Sequence, residues 1–188
     1  MSKRLLLAAT AAFALVSGAA LVPLAAQEKT VQVGGAPMYP SKNIVQNAIN
    51  SKDHTTLVAA VKAAGLVDTL QSPGPFTVFA PTNAAFGKLP QGTVDNLLKP
   101  ENKATLTKVL TYHVVPGRMT ATALMKAIKD GGGTAKFKTV AGEEISIKQE
   151  GSKLRVWDAK GQSSTVTIAD VLQSNGVIHV VDTVLLPT

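Results

Sequence analysis

The hydrophobic period of this chain changes once, at Gly131, Gly132 and Gly133, and no other feature constrains its fold as strongly. Before that point apolar residues recur at helical spacing, as in Leu57, Val58, Val61 and Leu66. Further helices are predicted over 94–98, 104–111 and 120–129. After it the period is two: Phe137, Ile145 with Ile147, Leu154 with Val156, and Val166 with Ile168 alternate with polar residues. Turn signals at Ala141-Gly142, Gly151-Ser152 and Lys160-Gly161 separate these runs, and Asn175-Gly176 leads into a last strand predicted over 177–186. Helices followed by antiparallel strands predict an α+β domain rather than a βαβ array. One early strand is expected at 76–79, after the turn Gln71-Ser72-Pro73-Gly74-Pro75, and joining it to the sheet would tie both halves into one core. Locally, Asp53 is the expected N-cap of the first long helix and Gly65 its stop, while Thr82-Asn83 offers capping oxygens to a brief helix through Phe86.

The amino terminus is of another kind. Lys3 and Arg4 precede an uncharged apolar run over 5–26 that ends in Leu24-Ala25-Ala26, the pattern of a cleaved secretory signal peptide. A retained membrane helix fits worse, since Ser17-Gly18 and Pro23 interrupt the run and no basic cluster follows it. The expected organisation is a signal at 1–26, an extended lead-in at 27–42 carrying Gly34, Gly35, Pro37 and Pro40, and one domain at 43–188. Removing the signal lowers the formal charge from +7 to +5. The expected location is periplasmic or extracellular, with no stable membrane span after cleavage.

Few reaction classes survive inspection. With no cysteine there is no disulfide, thiolate zinc site, thiol nucleophile or cysteine-linked lipid. The three histidines, His54, His113 and His179, lie on separate elements without ligand spacing, so no metal and no cofactor are expected. No Gly-x-Ser-x-Gly elbow occurs, and neither glycine cluster has the lysine of a phosphate loop. The cations are mostly lysines spread along the chain, with Lys126/Lys129 and Lys136/Lys138 the closest groupings and no aromatic interleaved among them. Ordinary solvated surface is expected of them, with salt-sensitive attraction to acidic polysaccharide or anionic membrane as the functional alternative. Nucleic acid is not an expected partner.

Three segments carry a more specific signal. The run from Phe76 through Phe79, Pro81 and Asn83 to Phe86 resembles the first signature block of the fasciclin-domain family. Asn175-Gly176 through His179 and Asp182 to Pro187 resembles the second, and Leu110-Thr111-Tyr112-His113-Val114-Val115-Pro116-Gly117 resembles the Tyr-His segment between them. The resemblance implies a wedge-like β-sandwich of mainly antiparallel strands flanked by helices, close to the single-domain exported bacterial members. It also implies a non-enzymatic role in adhesion, with a cell-surface or extracellular protein or polysaccharide as partner. In animal multi-domain members, integrin recognition is attributed to an Asp-Ile pair before the second block and to the Tyr-His segment. The matching candidates here are Asp170-Val171, with Val for Ile, and Tyr112-His113.

The same residues have plain structural readings. Phe79 and Phe86 suit a core, Asn83 a cap or turn, and Tyr112 and His113 a helix-to-strand junction where buried polar groups need partners. Both faces of the last strand are largely apolar, which predicts a central strand, with His179 and Asp182 bonded to backbone rather than forming a catalytic pair. An alternative function is carriage of a small apolar ligand, a pigment or lipid, in a groove lined by Met119, Leu124 and Met125 near the Tyr-His segment.

Overall fold

A computed structural model describes residues 29–188; the segment read as a signal peptide lies outside the described residues. Seven helices, α1 (Ile44–Ala48), α2 (Thr55–Ala64), α3 (Val67–Gln71), α4 (Asn83–Gly87), α5 (Thr93–Leu97), α6 (Lys103–Tyr112) and α7 (Ala121–Asp130), fall mostly in the first half. The strands are β1 (Val31–Val33), β2 (Ala36–Met38), β3 (Phe76–Pro81), β4 (Val114–Pro116), β5 (Ala135–Lys138), β6 (Glu144–Glu150), β7 (Lys153–Trp157), β8 (Ser163–Gln173) and β9 (Gly176–Val181). Strands β3 to β9 form one seven-stranded sheet in the order β4-β3-β9-β8-β7-β6-β5. Only the β3–β9 pair is parallel, and it places the early strand beside the last one.

Strand β9 is central and buried along its whole length, which divides the interior in two. On one side Ile178 and Val180, with Val78 and Ala80 of β3, meet the helices through Leu57, Val61, Leu106 and Leu110. On the other, Val181 and Phe79 meet Ile145, Ile147, Leu154 and Val156 from the far end of the same sheet. The sheet reaches over its own core because β8 bends. Its first residues pair with β7 and its later ones with β9, and the register slips twice between Val166 and Val171, where Asp170 takes a left-handed φ of 56°. The sandwich is thus one sheet folded back on itself. Helix α7 lies along its inner core through Leu124 and Ile128 while Lys126 and Lys129 stay outside, and the Thr120 hydroxyl caps it by accepting the Ala123 N–H.

Three local expectations change. The lead-in contains a hairpin, β1–β2, turning through Gly34 and Gly35 at positive φ and burying Val33 and Met38 in the helix-side core. Pro37 is tolerated there because a two-stranded ribbon is all edge. Asp53 does not cap α2: Lys52–His54 is a 3₁₀ turn, and the cap comes from Asn83, whose Oδ1 accepts the Thr56 N–H at 3.0 Å. The last strand ends at Val181, and beyond it side chains hold the backbone. The Leu185 N–H is donated to His113, that of Leu186 to Asp158 and that of Thr188 to Glu143.

The tightest point in the sheet is Gly176, opposite Phe76 in the parallel pair. A Cβ there would lie 2.1 Å from the Phe76 carbonyl oxygen, a backbone atom that no rotamer change can move aside. Gly176→Ala is expected to cost about 2–3 kcal/mol, read as a lower urea midpoint at unchanged m-value.

Candidate functional site

Tyr112 and His113 sit where α6 gives way to β4, and both are buried. The Tyr112 hydroxyl donates to the Glu144 carbonyl at 3.0 Å and accepts the Ala159 N–H at 2.9 Å, fastening α6 to the start of β6 and to the turn after β7. Burial pushes its pKa above the ordinary tyrosine value. His113 has a fixed tautomer. The Val109 carbonyl can only accept, so Nδ1 carries the proton at 2.8 Å, and Nε2 accepts the Leu185 N–H at 2.9 Å. Protonation would break the second bond, and complete burial lowers the pKa to about 4.

Asp170 and Val171 lie in the β8 irregularity. Val171 belongs to the helix-side core, whereas Asp170 remains half-exposed. Asp170 Oδ1 accepts the Ala121 N–H at 2.6 Å, placing a carboxylate at the positive end of α7. Its own N–H faces His179 Nδ1 at 3.4 Å, while His179 Nε2 donates to the Met119 carbonyl at 2.7 Å. Thr77 completes the clamp on this loop, donating to the Gly117 carbonyl and accepting the Met119 N–H. Arg118 donates to the carbonyls of Gln173 and Ser174. The structure therefore does not gather the four candidate contact residues into one exposed patch. Tyr112 and His113 tie α6 to the folded-over strands and the C-terminal tail, Asp170 ties the loop before α7, and Val171 is core.

The remaining signature residues also work as ties. Phe79 stacks on His179 with ring centroids 5.6 Å apart, and Pro81 and Phe86 are buried. Asn175 accepts the Ile44 N–H and donates to the carbonyls of Leu70 and Ser72, joining α1 and the end of α3 to the turn before β9. Burial alone would raise the pKa of Asp182, but bonds from the Thr165 N–H, Thr183 and Ser164, with the charge of Lys88, lower it overall. His179 and Asp182 have separate partners and form no pair. One tie escaped the sequence reading: buried Asp158 accepts from the N–H groups of Lys160, Gln162 and Leu186. An aspartate two residues before Lys160-Gly161 carries an ordinary turn signal, and nothing local announces its bond to the distant tail.

Among the described residues no group of three or more His, Asp or Glu could hold a metal. The Ser51 hydroxyl and His54 Nδ1 are 2.8 Å apart, and both side chains are buried against an apolar cavity. Of the residues expected to line a ligand groove, Leu124 is core, Met119 packs against that core and Met125 is exposed. An apolar cavity of about 70 Å³ lies elsewhere, among α1, α2, α3 and β3, lined by Val45, Leu57, Val61 and Phe76.

Two expectations follow for stability. The unfolded chain takes up a proton at His113 near pH 6.5 that the folded chain refuses until about pH 4, so stability falls as pH drops through that window and is full above it. Between pH 7 and 5, where carboxylates stay charged, urea unfolding should show a loss of about 2 kcal/mol from His113, with a shallower slope in His113→Gln. Asn83→Ala should cost about 1–2 kcal/mol by the same measurement, with faster amide exchange confined first to α2.

The fasciclin-domain family model matches residues 52–187. The chain is 46% identical over 168 residues to protein sll1483 of Synechocystis sp., covering 89% of this chain and 86% of that one. It is 38% identical over 145 residues to the immunogenic protein MPB70 of Mycobacterium bovis, covering 74% and 66%. Its fold matches a solved pair of such domains from the insect cell adhesion molecule fasciclin I, with TM-score 0.69 at 18% identity, over 85% of this chain and 58% of that chain. Motif blocks, folded-over sheet and sequence similarity agree: the chain belongs to the fasciclin-domain family.

Proposed function

We propose that the mature chain is an exported, non-enzymatic adhesion module that binds a cell-surface or extracellular protein or polysaccharide, in the periplasm or outside the cell. One observation carries this reading. Four of the side chains with chemistry to offer, His113, His179, Tyr112 and Asp158, are taken up in holding backbone together, which favours a rigid body that works through its surface. Membership in the fasciclin-domain family supports it, as does the signal-like amino terminus. Among the described residues no helix is long and apolar enough to cross a membrane. The carrier alternative loses ground on size. A dry cavity of 150 Å³ admits benzene, and the apolar cavity of about 70 Å³ is far below a pigment or a lipid. The open groove of about 620 Å³ beside Met125 and Ile128 is lined mainly by Lys126, Lys129, Gln149 and glycines rather than apolar side chains.

On this reading Asp170, Val171, Tyr112 and His113 shape the surface without contacting the partner. The labelled mature protein should bind source-cell envelopes or extracellular polymer saturably, and an absence of saturable binding to either would sink the adhesion reading. Asp170→Asn keeps a residue that tolerates left-handed φ and an acceptor for the Ala121 N–H. It should bind within about twofold of the parent at nearly unchanged Tm. A large loss of binding at unchanged Tm would instead put the Asp170 carboxylate in the contact.

A further inference from the structure

The folded-over half of the sheet turns one face to the core and the other outward, and the outward face is chemically distinctive. Strand register sets Lys136, Ser146, Trp157 and Ser163 side by side across β5, β6, β7 and β8, with Lys148, Arg155 and Thr165 in the adjoining row. Lys136 and Lys148 are exposed, and Trp157 and Arg155 are half-exposed. Lys148 Nζ stands 5.3 Å from the centroid of the Trp157 ring. The expectation that no aromatic interleaves with the lysines is overturned here, because register brings together residues far apart in sequence.

The charge on this face is unbalanced. Lys136, Lys138, Lys148, Lys153 and Arg155 face only Glu144 and Glu150, which lie toward the two ends. Glu150 pairs with Arg155 at 3.0 Å, and none of the four lysines takes part in the ion pairs among the described residues. The indole N–H of Trp157 has no acceptor in the protein, an unusual cost for a covered donor. Besides the tryptophan the face bears no large apolar side chain, so it could attract a membrane but has nothing to insert into one.

We propose that this face of β5–β8, centred on Trp157 with Lys136, Lys148 and Arg155, binds an anionic polysaccharide, a chain of uronate sugars. The proposal deepens the adhesion reading and rests on it for biological meaning. Each group matches one part of such a ligand. The indole face packs against the apolar C–H face of a pyranose ring, and the cations take carboxylates with charge-assisted bonds. Ser146, Ser163 and Thr165 offer hydroxyls that both donate and accept, as sugar hydroxyls require. Side chains two residues apart along each strand share this face, so its cations stand in adjoining rows where a polymer of like charges can meet several at once.

Trp157 is the only tryptophan in the chain, so its fluorescence reports the site directly. Titration of the mature protein with oligogalacturonate should shift or quench that emission saturably, with affinity falling steeply as salt rises. Neutral dextran should have no effect. Lys136→Ala/Lys148→Ala should keep the parent Tm and weaken binding at least about tenfold, and Trp157→Phe, followed by calorimetry, should weaken it several-fold. An equal response to dextran, an undiminished affinity in the double lysine variant, or equally tight binding of single-stranded DNA of matched charge would overturn the assignment. Envelope binding that persists without any response to oligogalacturonate would defeat this inference alone. Oligogalacturonate binding without envelope binding would defeat the adhesion reading alone.

Discussion

A strand buried on both faces must satisfy every polar atom it carries, and β9 imposes that condition on the rest of the molecule. Its backbone is paired on both sides, in parallel with β3 and antiparallel with β8. Its one polar side chain, His179, finds the Met119 carbonyl and so pins the loop before α7. The parallel pair brings Gly176 against Phe76 too closely for any Cβ. Two cores form because one central strand serves both, and the helices and the folded-over strands are the two covers.

Neutral histidines recur as the fastening device. His113 and His179 each give a proton to a carbonyl and hold the other nitrogen toward an N–H, a pattern open only to neutral imidazole. Burial lowers the pKa of both, so near neutral pH each keeps the uncharged form that its bonds require. The C-terminal tail depends on the same logic, with Asp158, His113 and Glu143 accepting backbone N–H groups where a strand would have used a neighbour. Lys108 and the Thr188 contacts hold Glu143 ionised well below the ordinary carboxylate range. What remains free to act is the surface, which includes the outward face of β5–β8.

Much of this was legible along the chain because it depends on neighbours in sequence. The period change at the triple glycine marked off helices from strands, Gly65 ended α2 in left-handed φ, and Thr82 capped the helix it precedes. The exceptions are instructive. Asp53 looked like a cap and is not one, since Asn83, distant in sequence, occupies the end of α2. The β1–β2 hairpin was obscured by Pro37, although Gly34-Gly35 between two short runs was its signal.

The sequence by itself determined the α+β pattern, the central last strand and the family, because hydrophobic period, turn chemistry and long motifs are local quantities. Only the tertiary structure decided what the polar residues do. Tyr112, His113 and Asp170 look alike in sequence as candidate contacts, yet in the fold Tyr112 and His113 are buried and Asp170 is half-exposed, each bonded to distant backbone. Lys136, Lys148 and Trp157 look scattered, yet register across three strands makes them neighbours. Hydrogen-bond partners and sheet register join residues tens of positions apart, and such pairings exist only once the chain has folded.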